Sequence, residues 1–168
     1  GVSTYLSDQA TYDFVRNLIR NGCVRPMLVD LLADHGMAGI AAAMTEVGLP
    51  VRTLYLSNAE EYWTYTDQFR ANIRALPRDD RSLALHTQSS SVSQDYGYTA
   101  QPLATFVAWL DDGWAKSVDM MIRRTVVTSP SEFPSRLHTT TPDQAAADRA
   151  AKRRGTHARG THAGGGTP

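Results

Sequence analysis

Three stretches carry side chains able to do chemistry, and each follows an apolar run. Asp30, Asp34 and His35 come at or after 24–32. Ser57, Asn58, Glu60 and Glu61 follow 51–56, with Tyr62, Trp63 and Tyr65 just beyond. His86, Thr87 and Gln88 close the run 82–87. Asp30 at a strand end can accept a ribose hydroxyl, or it can cap a turn. Ser57 and Asn58 offer a hydroxyl and an amide to a ligand, and Tyr62 with Trp63 offers a platform for a planar group such as adenine. His86 has the chemistry of a base near neutral pH. Asp34 and His35 are two metal-type donors that need a third from elsewhere.

Every group also has a structural reading. Ser57-x-x-Glu60 has the form of a capping box, in which hydroxyl and carboxylate satisfy the first backbone donors of a helix, and Asn58-x-x-Glu61 repeats the form one residue later. The aromatics fall at helical spacing, as packing residues do, and a lone histidine at a strand end is commonly a hydrogen-bonded structural group. Arg70, Arg74, Arg78 and Arg81 make a basic strip. Asp67, Asp79 and Asp80 interleave with it, so a solvated, salt-bridged face is expected rather than a phosphate site. Asp111, Asp112 and Asp119 have no spacing that specifies glycosidase or two-metal chemistry. G-x-G-x-x-G, Walker A, H-E-x-x-H and G-x-S-x-G patterns are absent. The single cysteine, Cys23, excludes an intrachain disulfide, and no metal is expected.

The elements that must position these residues read as helices and strands in alternation. A helix over 11–20 has Ser7 or Asp8 to cap it and Asn21-Gly22 to stop it. A strand lies within 24–32, beginning at or after Pro26, and a small-residue helix spans 36–47 up to Gly48. Strands at 51–56 and 82–87 flank a helix over 59–75. A polar loop over 88–101 leads to a helix over 102–124, and Val126-Val127 adds a short strand. Strands joined by helix-length crossovers predict a three-layer, Rossmann-like parallel sheet with helices on both faces, here only a partial one. Ligands of such sheets bind beyond the carboxyl ends of the strands, which brings Asp30, Ser57, Asn58 and His86 to one edge.

Length and charge set the organisation. The chain has 168 residues and equal numbers of basic and acidic side chains, 17 each. The neutrality hides a division between an acidic body, 1–141, and a basic Gly/Ala/Thr/His tail, 142–168. The tail has no large apolar side chain and is expected to be disordered, with a frayed helix over 142–154. Such a tail suits weak contact with nucleic acid. No run has the length of a membrane span and no signal peptide is visible, so a cytoplasmic location is expected. The first residue is Gly, which suggests a processed or truncated product.

The combination "YLSNAEEYW" (55–63), Phe69, Asn72, "LPRDD" (76–80) and "SLALHT" (82–87) resembles the distal half of an uncharacterised bacterial protein family. Its members read Y-x-S-N-x-E-x-Y, then F-x-x-N and L-P-x-D. The resemblance covers roughly 13–88. Asp30 matches an acidic position after the preceding strand, whereas Val29 replaces a frequent Gly and His86 a frequent Arg. That family is distantly similar to class I S-adenosylmethionine-dependent methyltransferases. The resemblance implies S-adenosylmethionine as ligand, with Asp30, Ser57, Asn58, Tyr62 and His86 around it. A glycine-rich cofactor turn would lie before Gly1, so the chain is expected to be inactive alone and to need a missing N-terminal half or a second copy. The alternative is a non-catalytic binding or assembly module that uses the sheet edge and the Tyr62/Trp63 aromatics.

Overall fold

Asp8 starts the first helix: its carboxylate accepts from the Thr11 N–H at 2.7 Å, and the Thr11 side chain first, then this N–H, hold its pKa below the usual carboxylate range. The computed structural model describes residues 4–89, 96–122, 126–127, 136–138 and 140–160. Helix α1, Gln9–Arg20, ends where Gly22 takes a left-handed φ of 69° and Cys23 N–H bonds back to Leu18 O. None of its residues is buried.

The expected strand over 24–32 does not form. Pro26 removes a ladder donor, and residues 24–32 pair with no strand among the described ones. Asp30 instead folds its carboxylate onto the Leu32 N–H, a local turn. The chain becomes fixed to the body only from Val29 onward. Val29, Leu31 and Leu32 pack on the core, and the buried Asn72 amide donates to Leu31 O and Ala33 O at 2.9 and 2.8 Å. Gly36 is required here twice over: its φ is 69°, and a Cβ would lie 2.9 Å from Val29 Cγ1. Helix α2, Met37–Glu46, follows.

Strand β1, Thr53–Ser57, and strand β2, Leu83–Ser89, are parallel neighbours. Their crossover is not the continuous helix expected over 59–75. A 3-10 helix, Asn58–Tyr62, comes first, and helix α3, Asp67–Ala75, starts anew with Thr66 as its cap. Between them Tyr65 N–H bonds to Lys116 O, and its ring stacks on Phe69 at 5.1 Å. Tertiary packing of Tyr65 therefore breaks the helix.

Half of the expected polar loop is strand β3, Tyr96–Pro102, antiparallel to β2; residues 90–95 lie outside the described ones. Helix α4, Leu103–Asp112, stops at Gly113, φ 70°, and α5 is a short helix, Val118–Ile122. Strands β4, Val126–Val127, and β5, Arg136–Leu137, complete a five-stranded sheet of order β1-β2-β3-β5-β4. It is a mixed α/β sheet, parallel only at β1–β2 and β3–β5. Helices α2, α3 and α4 share one core with the face that carries Ala84 and His86. On the opposite face Tyr55 and Leu83 are about half exposed. A third layer is therefore not seen among the described residues.

Part of the expected tail is helix α6, Pro142–Gly160. Thr141 and Gln144 form a reciprocal capping box at its start, and alanines favour the helix that follows. Ala145 is buried in the core, and Arg149 lies 5.7 Å over the Trp114 ring. Residues 161–168 lie outside the described ones. No helix among the described residues is long and apolar enough to cross a membrane.

Candidate functional site

The carboxyl end of β1 is built around one strained residue. Ser57 has φ 56° and ψ −161°, a region that is essentially glycine's and costs about 1–3 kcal/mol. The register with β2 slips between Tyr55 and Ser57, so the strand bends as it ends. The consequence is a change of face within four residues: Asn58 stays half-exposed and Glu60 goes wholly inside. The expected capping box is therefore absent. Ser57 makes no cap hydrogen bond, and Glu60 belongs to the core.

Three side chains are left facing outward at this edge. The Ser57 hydroxyl donates to Asn58 Oδ1 at 3.3 Å, and Asn58 Nδ2 has no hydrogen-bond partner among the described residues. Tyr62 is 79% exposed. Glu61 stiffens the arrangement by accepting from Ser89 N–H and Oγ–H, both at 2.8 Å, which ties the 3-10 helix to the end of β2. Trp63 turns inward, edge-on to Phe69 at 5.9 Å. The edge can hold a ligand by an amide, a hydroxyl and an aromatic ring, but it presents no free acid or base from this set.

His86 is not on that edge. It is fully buried, with its ring against Phe106 at 4.9 Å, and its Nδ1 lies 2.6 Å from Glu60 Oε2. Ser57 is its register partner, so the three residues have the composition of a Ser-His-Glu nucleophilic triad. The geometry rejects that chemistry. The Nε2 that would take the serine proton instead accepts from Gln101 Nε2 at 2.7 Å. Gln101 Oε1 in turn accepts from His138 Nδ1 at 2.9 Å, and Tyr65 donates to Glu60 Oε1 at 2.5 Å.

A buried chain thus runs Tyr65–Glu60–His86–Gln101–His138 across the sheet. Its protons follow from the one amide in the middle, which must donate from nitrogen and accept at oxygen. Both histidines then carry hydrogen on Nδ1, and His138 Nε2 keeps a lone pair without a partner among the described residues. Burial, the larger cause, lowers the His138 pKa to about 4. Burial first, then the Glu60 charge and hydrogen bond, pushes the Tyr65 phenol well up. Such a chain is a specificity device for the core, since each member would be costly if left unmatched.

A family described as a domain of unknown function, DUF7790, matches residues 1–140. The chain belongs to the DUF7790 family. No curated protein matches it.

Most of the polar signature in this DUF7790 chain serves the fold. Glu60 anchors the buried chain, and Phe69 and Leu76 are core residues. Asn72 pins residues 31–33, and Asp79 takes Arg52 in a two-pronged ion pair while capping its own turn through Arg81 N–H. The basic strip disperses as well. Arg70 is buried, donating to Leu110 O, to Ala115 O at 2.8 Å and to Tyr65 O at 3.2 Å, which clamps α3 to the end of α4. Arg74 pairs with Asp111, and Arg78 binds the carbonyls of Arg74 and Leu76 at the end of α3.

Asp30 and the Asp34–His35 pair lie in or beside the turn before α2 and on no strand. Asp34 and His35 touch at 2.9 Å with both side chains about 85% exposed, and their contact lowers the Asp34 pKa. No cluster of three metal-type ligands exists among the described residues. Of the five expected ligand residues, the structure brings together Ser57, Asn58 and Tyr62. Asp30 caps a local turn instead of ending a strand, and His86 is enclosed. Gln101 and His138 escaped the sequence reading because polar side chains on a half-read strand look like loop. Their only signal is alternation, Thr99 and Gln101 both pointing inward from β3.

Proposed function

We propose that this domain is a small-molecule-binding half of a methyltransferase-like protein, with S-adenosylmethionine as ligand at the carboxyl end of β1. The observation that carries this reading is the strained Ser57 turn, which presents Asn58 with an unfilled donor at the mouth of a parallel strand pair. The Asn58 amide would donate to the ligand's polar groups and the Tyr62 ring would stack on its adenine. The β1–β2 crossover is the Rossmann-like unit in this proposal. Glu60 and His86 are committed to the core, so the domain contributes positioning rather than a base, and it is inactive by itself.

Isothermal titration with S-adenosylmethionine tests the proposal. Saturable binding is expected, weakened about fivefold by Asn58→Ala, the worth of roughly one hydrogen bond. Thermal stability should be unchanged, since Asn58 makes no tertiary hydrogen bond among the described residues. Absence of binding, with Asn58→Ala lowering only the melting temperature, would sink it. A second reading, an assembly module that uses the sheet edge and Tyr62, is favoured by one specific observation: α1 buries none of its residues.

A further inference from the structure

The fold leaves residues 4–28 unused. Along α1, Phe14, Val15, Leu18 and Ile19 form an apolar stripe, with Phe14 62% and Ile19 60% exposed, and Met27 and Leu28 continue it beyond the helix. A helix of twelve residues is marginal in water without a face to pack on.

The same chain offers such a face. Met37, Ile40, Met44, Val51, Leu54 and Leu76, with Arg52 and Thr53, line an open and largely apolar groove of about 270 Å3 between α2 and β1. Val47 and Leu49, both exposed, extend it where α2 ends. β1 is the outermost strand, so no further strand shields the groove on that side among the described residues. The one charged side chain lining the groove, Arg52, is already neutralised by its ion pair with Asp79, which leaves the acidic groups nearby to meet a basic helix. Arg16 and Arg20 lie on α1, with Arg25 just beyond. Glu46 is the last residue of α2 and Asp80 acts on the charge of Arg52 in the groove, and neither makes an ion pair among the described residues.

We propose that α1 of one copy lies in the α2–β1 groove of a second copy, and reciprocally, giving a two-fold dimer; this rests on the assembly reading above. The tether supports exchange. Asn72 and the Val29–Gly36 contact hold the chain from residue 29, whereas residues 24–28 make no backbone hydrogen bond among the described residues and contain Pro26. An extended hinge that carries a helix clear of its own body lets identical copies trade that helix, and no new surface is needed.

Cys23 is the sole cysteine and is exposed three residues past α1, so a nitroxide there reports where α1 lies. The full chain, spin-labelled and unenriched, is mixed with an equal amount of Cys23→Ser protein carrying 13C-methyl methionine. A dimer mass by light scattering is expected, with the Met37 and Met44 methyl signals losing about half their intensity, the share of enriched chains that pair with a labelled copy, while Met121, in the core, keeps its own. Ile19→Asp in both copies should restore a monomer mass and sharp signals, and should remove the concentration dependence of the melting temperature that a dimer confers, leaving the value of the dilute parent chain because α1 buries nothing in its own body. Broadening only when label and 13C share one chain places α1 in its own groove and overturns the proposal. A dimer whose Met37 and Met44 stay sharp overturns this docking site but spares the assembly reading. A monomer without broadening removes both.

Discussion

Acidification should destabilise this protein through His138 before its carboxylates protonate. In the folded chain His138 is neutral, because burial, the larger cause, lowers its pKa from 6.5 to about 4. The unfolded chain binds that proton near pH 6.5, so between these values the unfolded state holds more protons and stability rises with pH. The contribution is complete above about pH 6.5 and is lost as pH falls toward 4. The full shift of about 2.5 units corresponds to about 3 kcal/mol at 1.36 kcal/mol per unit, of which about 2 kcal/mol is lost between pH 8 and pH 5. With a urea slope of about 2 kcal/mol per M, the midpoint should drop by about 1 M. His138→Asn keeps a donor at the Nδ1 position for Gln101 Oε1 and cannot titrate, so its midpoint should move far less over the same range. Asp8, Asp34 and Asp79, whose pKa values are lowered, lose their contributions only below about pH 4, outside this window. Equal midpoint shifts in the parent chain and in His138→Asn would show that His138 is not the buried neutral group described here.

Three further substitutions probe the parts that shape the edge. Ser57→Gly should raise stability by about 1 kcal/mol, since relief of the positive-φ strain outweighs the added chain entropy; a loss of stability in calorimetry would mean that Ser57 is unstrained. Asn72→Ala should accelerate hydrogen exchange across residues 31–36 and cost about 1–2 kcal/mol, while the exchange of β2 amides is merely scaled by that global change; unaltered exchange at 31–36 would show that Asn72 does not pin them. Arg70→Met should cost about 2–3 kcal/mol in urea titration by leaving the Leu110 and Ala115 carbonyls unmatched, and a neutral outcome would mean that those carbonyls find other donors.

The helices were legible where local chemistry decides. Asp8 and Gly22 bound α1, Gly48 stops α2, and Gly113 divides what reads as one long helix into α4 and α5. Strands β1 and β2 were legible from their apolar runs. What the sequence conceals is decided by partners far along the chain. Residues 24–32 have strand composition but pair with no strand among the described residues, and Pro26 removes one donor that a ladder would need. β3 looks polar because its inward Thr99 and Gln101 face a polar histidine on β2 rather than an apolar layer. The same cause hides the fate of Glu60. A serine three residues before a glutamate reads as a cap in isolation, and only His86, 26 residues later, reveals that the carboxylate is drawn into the core. Ser57 takes a glycine's conformation without being glycine, so no residue type announces the turn. Asn58 and Tyr62 were legible as candidates because nothing in the fold consumes them.

The central claim is that the carboxyl end of β1, and not the buried histidine chain, is the ligand edge. It is tested most directly by following side-chain amide signals in 15N spectra while S-adenosylmethionine is added. The account predicts a saturable shift of the Asn58 side-chain amide, with Gln101 unmoved in the core. A shift at Gln101 without one at Asn58, or no saturable shift at either, contradicts it.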